Sequence, residues 1–303
     1  MATLVANTIN EELQDRFTAL EQLVHRQAAK SIKSPAELQT DLEDRLVIRQ
    51  LFNGGLFITD AEGIAIASVP VEAKRIGTNY MFREHIATSL KEGKNAISTV
   101  AIGKALQVPV FGLAIPIRNT EGRVIGSMVG VINLNAENFL DRGMLPYAMT
   151  GGYVIVSRTQ RLIVAATDKR RIMEPAPEAG RFPAIDRFLE GHEGSAAFVN
   201  PRGIEVFQSV KNIPLTDWYV GVQLPLAEAL APISDMQQRM ILATILLTLI
   251  AGGMTWWLLQ RQLAPMQTAA NTLRARSAAG QSPGALPNSS EDEIGELIGG
   301  FNQ

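Results

Sequence analysis

The sequence predicts an α+β protein. It is read as a pair of N-terminal helices, two antiparallel-sheet modules with the same internal order, and one helix long enough to cross a membrane. Three observations carry this reading. Ile9, Leu13, Phe17, Leu20 and Val24 recur at helical spacing. From Leu56 the apolar period changes to two, and the succession of strands and one helix that follows occurs twice. Met240–Leu259 is a run of twenty residues without a charge, which as a helix is about 30 Å long, the hydrocarbon thickness of a bilayer. The predicted organisation is stalk helices over 1–52, a first sheet module over 53–140, a second over 141–228, the membrane helix over 240–259 and a helical tail over 260–303.

Residues 8–30 read as an amphipathic helix, capped by Asn7 or Thr8 with Glu11 placed to complete a capping box. Ser34-Pro35 breaks it, and a second helix is expected from about Pro35 to Phe52. LFITD, the Glu62-Gly63 turn and IAIAS form a β-hairpin. A loop with Arg75, Asn79 and Tyr80 leads to a helix at about Arg83–Lys91, closed by Gly93. AISTVAI, VPVFGLAIPI and VIGSMVGVINL supply three strands, the last two joined at Asn119-Thr120-Glu121-Gly122. The second module repeats this in shortened form. GYVIVS and LIVAAT make the hairpin, Ile185–Glu190 the helix, and SAAFV, IEVFQSV and WYVGVQL the strands, with Asp141–Gly151 linking the copies. After the apolar run, Leu263-Ala264-Pro265 is expected to bend the chain into a helix reaching about Ala278, followed by the connector AAGQSPGALPNSS. In the closing EDEIGELIGGFNQ, Ile294, Leu297 and Phe301 share a helical face with nothing to bury it, so the natural protein is expected to continue.

Composition narrows the function. Charged residues are 19% and hydrophobic ones 46% of the 303, and the net charge of −2 gives no field for nucleic acid. The chain has no Cys, and His25, His85 and His192 show no ligand spacing, so neither disulfide nor metal site is expected. There is no G-x-S-x-G, P-loop or His cluster, and the nearest carboxylate pair, Asp60 with Glu62, sits on a hairpin turn. No catalytic residue and no cofactor are expected. Arg261, Arg274 and Arg276 follow the apolar run with no acid before Glu291, which places the tail in the cytoplasm by the positive-inside tendency and Trp256 and Trp257 in the inner interfacial belt. Export of the large preceding part calls for an earlier span, expected to have been trimmed from the start.

These residues resemble a double Cache (dCache) sensor. The LFITDAEGIAIAS hairpin and VPVFGLAIPIRNTEGRVIGSMVGVINL are similar to the membrane-distal, PAS-like module of that family, and GYVIVSRTQRLIVAAT with DWYVGVQLP to its membrane-proximal one. The tail, with a Pro just past the membrane, a connector, DEIGEL and Phe301-Asn302, resembles a HAMP domain. The resemblance implies the sensing half of a bacterial inner-membrane receptor, a homodimer with its sensor in the periplasm and an output domain beyond residue 303. TWWLLQRQLAPM and EDEIGELIGGFN look most like receptors carrying GGDEF and EAL domains, which implies cyclic di-GMP turnover; a chemoreceptor or histidine kinase is the alternative. An anchored enzyme and a non-sensing dimerisation module are the rivals from other classes.

The family binds small molecules in the distal module. In its amino-acid-binding branch an Arg and an aromatic two residues later hold the carboxylate, and an Asp on the final strand pairs with the ammonium. Arg83-Glu84-His85 matches the first part, with His85 in the aromatic's place and Tyr80 just ahead. The Asp is missing, with Asn133 at about that position. A guanidinium fork still serves a carboxylate, whereas an amine without a buried counter-charge loses affinity. The expected ligand is therefore a small anion or carboxylate, held by Tyr80, Arg83, His85 and Asn133. Each has a plainer reading. Arg83 could pair with Glu84 or Asp60, His85 and Tyr80 could be packing residues, and Asn133 could serve a turn.

Overall fold

A computed structural model describes residues 1–28, 34–44, 50–142 and 151–278. They divide into two compact units, Met1–Ala229 and Leu230–Gln303.

In the first unit α1 spans Ala2–Ala28. It begins ahead of the expected cap at Asn7 or Thr8, so Thr8 lies inside the helix and that capping box does not form. The reason is that Ala2, Val5 and Ala6 extend the apolar stripe backwards and are buried with Ile9, Leu13, Leu20 and Val24. The capping box is found on α2, Pro35–Glu43, where Ser34 Oγ accepts from the Glu37 amide and Glu37 Oε2 accepts from the Ser34 amide. Its C-cap is Asp44; of the remainder of the helix expected to reach about Phe52, residues 45–49 lie outside the described ones and 50–51 are helical. Gln39 of α2 both donates to the Ser68 carbonyl (2.9 Å) and accepts from its amide (2.8 Å), covering the edge of the first sheet.

The first sheet contains β1 (Gly55–Asp60), β2 (Ala65–Val69), β3 (Ala96–Ile97), β4 (Ala101–Ile102), β5 (Pro109–Arg118) and β6 (Val124–Asn133). Its order is β2-β1-β6-β5-β3, with β4 also on β5. The period of two divides its side chains between faces. Leu56, Ile58, Leu113 and Ile115 join the core beneath α1. Phe57, Ala114, Val129 and Val131 point the other way, towards α3 (Glu84–Glu92). That helix ends where Gly93 takes a left-handed conformation, φ 64°. The single strand expected for AISTVAI is two short ones, because the Val100 amide and carbonyl are both taken by the side-chain amide of Gln160, at 2.7 and 2.8 Å.

The second sheet repeats the topology, as the sequence predicts. It is ordered β8-β7-β11-β10-β9, from β7 (Gly152–Ser157), β8 (Leu162–Ala166), β9 (Gly194–Val199), β10 (Glu205–Asn212) and β11 (Trp218–Pro225). Between the sheets come α4 (Phe139–Arg142) and, within the second module, α5 (Pro183–Leu189). The linker residues 143–150 lie outside the described ones. Ile155, Val164, Trp218 and Val220 share the α1 core with the first sheet. At the junction the Phe111 ring meets Trp218 edge-on at 5.1 Å and Phe139 at 6.3 Å. The charged run after β8 is tied by surface ion pairs: Lys169 reaches Asp141 (2.8 Å), Arg171 reaches Glu174 (2.7 Å), and Asp168 holds both Arg170 and Arg202.

The final helix, α6, runs from Leu226 to Ala278. It passes through Leu263-Ala264-Pro265, so the expected break before a separate helix is absent; the missing Pro N–H costs one bond of a long ladder. Within it Met236–Arg261 is long and apolar enough to cross a membrane, with a mean hydropathy of 1.8 and no part of it covered by protein. Thr244, Thr248 and Thr255 each donate to the carbonyl four residues back, at 2.8 Å, so their hydroxyls are satisfied within the helix itself. Most of the connector and all of the EDEIGEL segment lie outside the described residues.

Candidate ligand-binding site

A cavity lies between the front of the first sheet, α3 and the loops that flank them. The chain reaches it through a tethered loop. Tyr80 donates its amide to the Gly63 carbonyl of the hairpin turn, and Asn79 donates to Glu62. This fixes Tyr80 against Phe57, ring centroids 4.8 Å apart. Burial pushes the phenol's pKa up, offset in part by the cations of Arg75 and Arg83, so the ring presents a neutral hydroxyl.

Arg83 occupies the N-cap of α3 in extended backbone and makes no cap with its side chain. Its guanidinium instead donates to the Ile102 carbonyl at 3.0 Å and stands 5.2 Å from the Phe82 ring. Neither Glu84 nor Asp60 pairs with it among the described ion pairs. His85 follows one residue into the helix and is 7% exposed. Burial, reinforced by the Arg83 charge, lowers its pKa to about 3, so the imidazole is neutral at physiological pH. Gly112 makes room for the ring, since a Cβ there would stand 3.0 Å from His85 Nε2. Gly112→Ala is therefore expected to push the ring into the cavity at a cost of about 1–3 kcal/mol. A carboxylate titration followed by thermal shift should show weaker binding; unchanged affinity would mean the ring does not border the ligand.

Two cations join these that the sequence pattern did not single out as ligands. Arg75 lines the cavity and is 3% exposed. It donates to the Gly54 carbonyl (2.6 Å) and the Ser68 hydroxyl (3.4 Å), with no carboxylate paired to it among the described residues. Burial accordingly lowers its pKa. Lys104 lines the exposed side. Nothing in the spacing separates a buried arginine from a solvated one, so only folding could reveal Arg75.

The structure brings Tyr80, Arg83 and His85 together and leaves Asn133 out. Asn133 Oδ1 accepts from the Asn135 amide (3.0 Å) and the Ala136 amide (3.4 Å), while its backbone is bridged by the Asn53 side chain. It serves a turn. At the cavity β6 presents Val129 and Val131. The lining contains Arg75, Arg83 and Lys104 and no Asp or Glu. The space open to the centre of a water molecule is about 50 Å³, room for a small molecule only. Among the described residues no three His, Asp or Glu side chains gather as a metal site.

A family profile described as a Cache domain (dCache_1) matches residues 1–233. The chain belongs to the Cache family. Solved structures agree at the level of fold. An extracellular ligand binding receptor from Desulfohalobium retbaense aligns with a TM-score of 0.59 and 15% identity, over 73% of this Cache chain and 39% of that one. The ligand-binding domain of the Pseudomonas aeruginosa amino acid chemoreceptor PctC, in complex with GABA, aligns with a TM-score of 0.55 and 19% identity, over 74% and 95%. That of the Pseudomonas fluorescens chemoreceptor CtaA, in complex with L-alanine, gives 0.58 and 17%, over 76% and 96%. A search of curated proteins finds no match. Cache domains of this kind bind ligands and are extracytoplasmic, and no catalytic activity is indicated in this region.

Proposed function

We propose that this chain is the ligand-sensing part of a bacterial inner-membrane receptor, and that its first module binds a small carboxylate or other small anion lacking an amine. The observation that carries the ligand class is the cavity lining: three cations, a neutral imidazole, a phenol, and no acid. An unpaired buried guanidinium such as Arg75 is costly, and a bound carboxylate compensates it with charge-assisted hydrogen bonds. The alanine and GABA held by the chemoreceptors above carry ammonium groups, and this lining offers nothing to pair with one.

Binding is relayed along contacts that leave the cavity. Ser98 and Thr99 line it, and the next residue, Val100, is clasped by Gln160 of the second module. A ligand that favours one arrangement of this clasp biases the second module and α6 by its differential affinity alone. The helix Met240–Leu259 is the transmembrane segment in this reading, with the sensor in the periplasm. A homodimer, a HAMP domain over 260–303 and a cyclic di-GMP output complete it; these three rest on resemblance alone.

Titration of the chain with acetate, propionate and lactate beside alanine, GABA and simple amines tests the proposal. Carboxylates should raise the melting temperature, by about 2.7 kcal/mol of stabilisation at a hundredfold excess over Kd. Arg83→Ala should weaken them about tenfold, the value of one charge-assisted bond. A preference for amines, or indifference to Arg83→Ala, would sink it.

A further inference from the structure

Each sheet has two outer edges, and on three of the four the chain covers or shortens them. On β2, Ala65 exchanges hydrogen bonds with the loop at Gly77 and Thr78 (2.8 and 2.9 Å), and Ser68 is held by Gln39. The opposite side of the first sheet ends in β3 and β4, two residues each, with Val100 between them taken by Gln160. On β8, Ile163 exchanges hydrogen bonds with Met173 and Glu174, both at 2.9 Å. The fourth edge is different. Gly194–Val199 (β9) is the last strand of the second sheet, and no described residue pairs with its outer side.

Which groups face outward follows from the hairpin. The Asn200 amide donates to the Ile204 carbonyl at 2.9 Å, and an antiparallel ladder alternates from such a pair. Phe198, Ala196 and Gly194 therefore direct their backbone groups to β10, while Ser195, Ala197 and Val199 turn theirs outward. The Ile213 amide donating to the Trp218 carbonyl sets the same alternation from the far side of β10. Sheet edges are commonly blunted by Lys, Pro or a bulge. The strand GSAAFV has no charge and no Pro, and its pairing with β10 runs without a register shift. Apolar side chains accompany the bare edge. Val199 is 49% exposed, and Phe207, directly across from Ala197 on β10, is 44% exposed.

We infer that β9 is a dimer interface, at which the strand pairs antiparallel with β9 of a second copy. The strand is its own complement. A two-fold axis at Ala197 sets Ala197 against its copy and Ser195 against Val199, so the outward N–H and C=O groups of all three meet partners. No like charges face each other within the strand. The small side chain at the axis lets Phe207 of each copy close towards the other, and the apolar face continues across both sheets. The same register sets Glu193, just ahead of β9, beside Arg202 in the turn after it, which places opposite charges at each end of the pairing. This names a surface for the homodimer proposed above and is independent of the ligand.

The chain has no Cys, so introduced cysteines report the register. The test uses the full chain in detergent micelles under mild oxidation, read as disulfide-linked dimer on a non-reducing gel. Ala197→Cys should cross-link, since facing residues of a hydrogen-bonded antiparallel pair stand about 5.5 Å apart at Cα, within disulfide reach. Ser195→Cys, whose copy would lie about 14 Å away, should link about tenfold more slowly or not at all. The double variant Ser195→Cys, Val199→Cys should link as Ala197→Cys does. Adding Val199→Lys to Ala197→Cys should slow the reaction about tenfold, because an edge lysine opposes strand pairing. Equal rates for Ala197→Cys and Ser195→Cys would overturn the inference, as would cross-linking that Val199→Lys leaves unchanged. A parent that is dimeric by light scattering, with both Ala197→Cys and the double variant unlinked, would overturn it and leave the homodimer on another surface. A monomeric parent would overturn both, and the carboxylate titration stands apart from either result.

Discussion

Phe111→Ala is expected to destabilise the Met1–Ala229 unit by about 4 kcal/mol. Phe111 is fully buried on β5, meets Trp218 of β11 and Phe139 of α4 edge-on, and belongs to the core that α1 builds from both sheets. Truncation leaves a cavity that cannot collapse, because its walls are three separate elements already packed on one another. For a unit of this length the loss corresponds to a fall in melting temperature of about 10 °C, measurable by calorimetry. Phe111→Leu should recover more than half of it. Since Phe111 also lines the first cavity, the alanine variant should lose carboxylate response as well. A drop below about 1 kcal/mol would mean that the two modules do not depend on this contact.

The second large effect is a pH dependence. His85 is held neutral in the folded protein, with its pKa lowered to about 3 first by burial and then by the Arg83 charge. In the unfolded chain it titrates near the ordinary value of about 6.5. Between those values the unfolded state binds the extra proton, so stability rises with pH across this window and is lost as pH falls through it. Going from pH 7 to pH 5 should therefore cost about 2 kcal/mol more in the parent than in His85→Gln. Denaturation of both proteins at the two pH values measures the difference; parallel curves would show that the imidazole is not held neutral. An anion bound beside the ring favours its protonated form, so a saturating carboxylate should shrink the difference.

Periodicity alone determined the elements of this protein. A change of apolar period at Leu56 and its recurrence at Gly152 announced two modules, and the pairing order of both sheets repeats as that pattern requires. Boundaries were less legible where apolar residues continue past a polar signal. Thr8 looks like a cap, yet Val5 and Ala6 carry the stripe beyond it, and burial outweighs a single capping bond. AISTVAI reads as one strand because nothing local reveals that Gln160, sixty positions on, will take both hydrogen bonds of Val100.

The site divides in the same way. Arg83, His85 and Tyr80 lie within six residues of one another, so a short motif and a helix start could bring them together before any tertiary structure was known. Asn133 was misplaced because strand position does not say whether a side chain faces a cavity or turns back on its own backbone. Arg75 and Lys104 were invisible, since each acquires its place at the cavity from neighbours distant in sequence. The sequence by itself determined which elements form and in what order. Only the tertiary structure decided which charges lose their water without gaining a partner, because desolvation belongs to the packed chain and not to any local pattern.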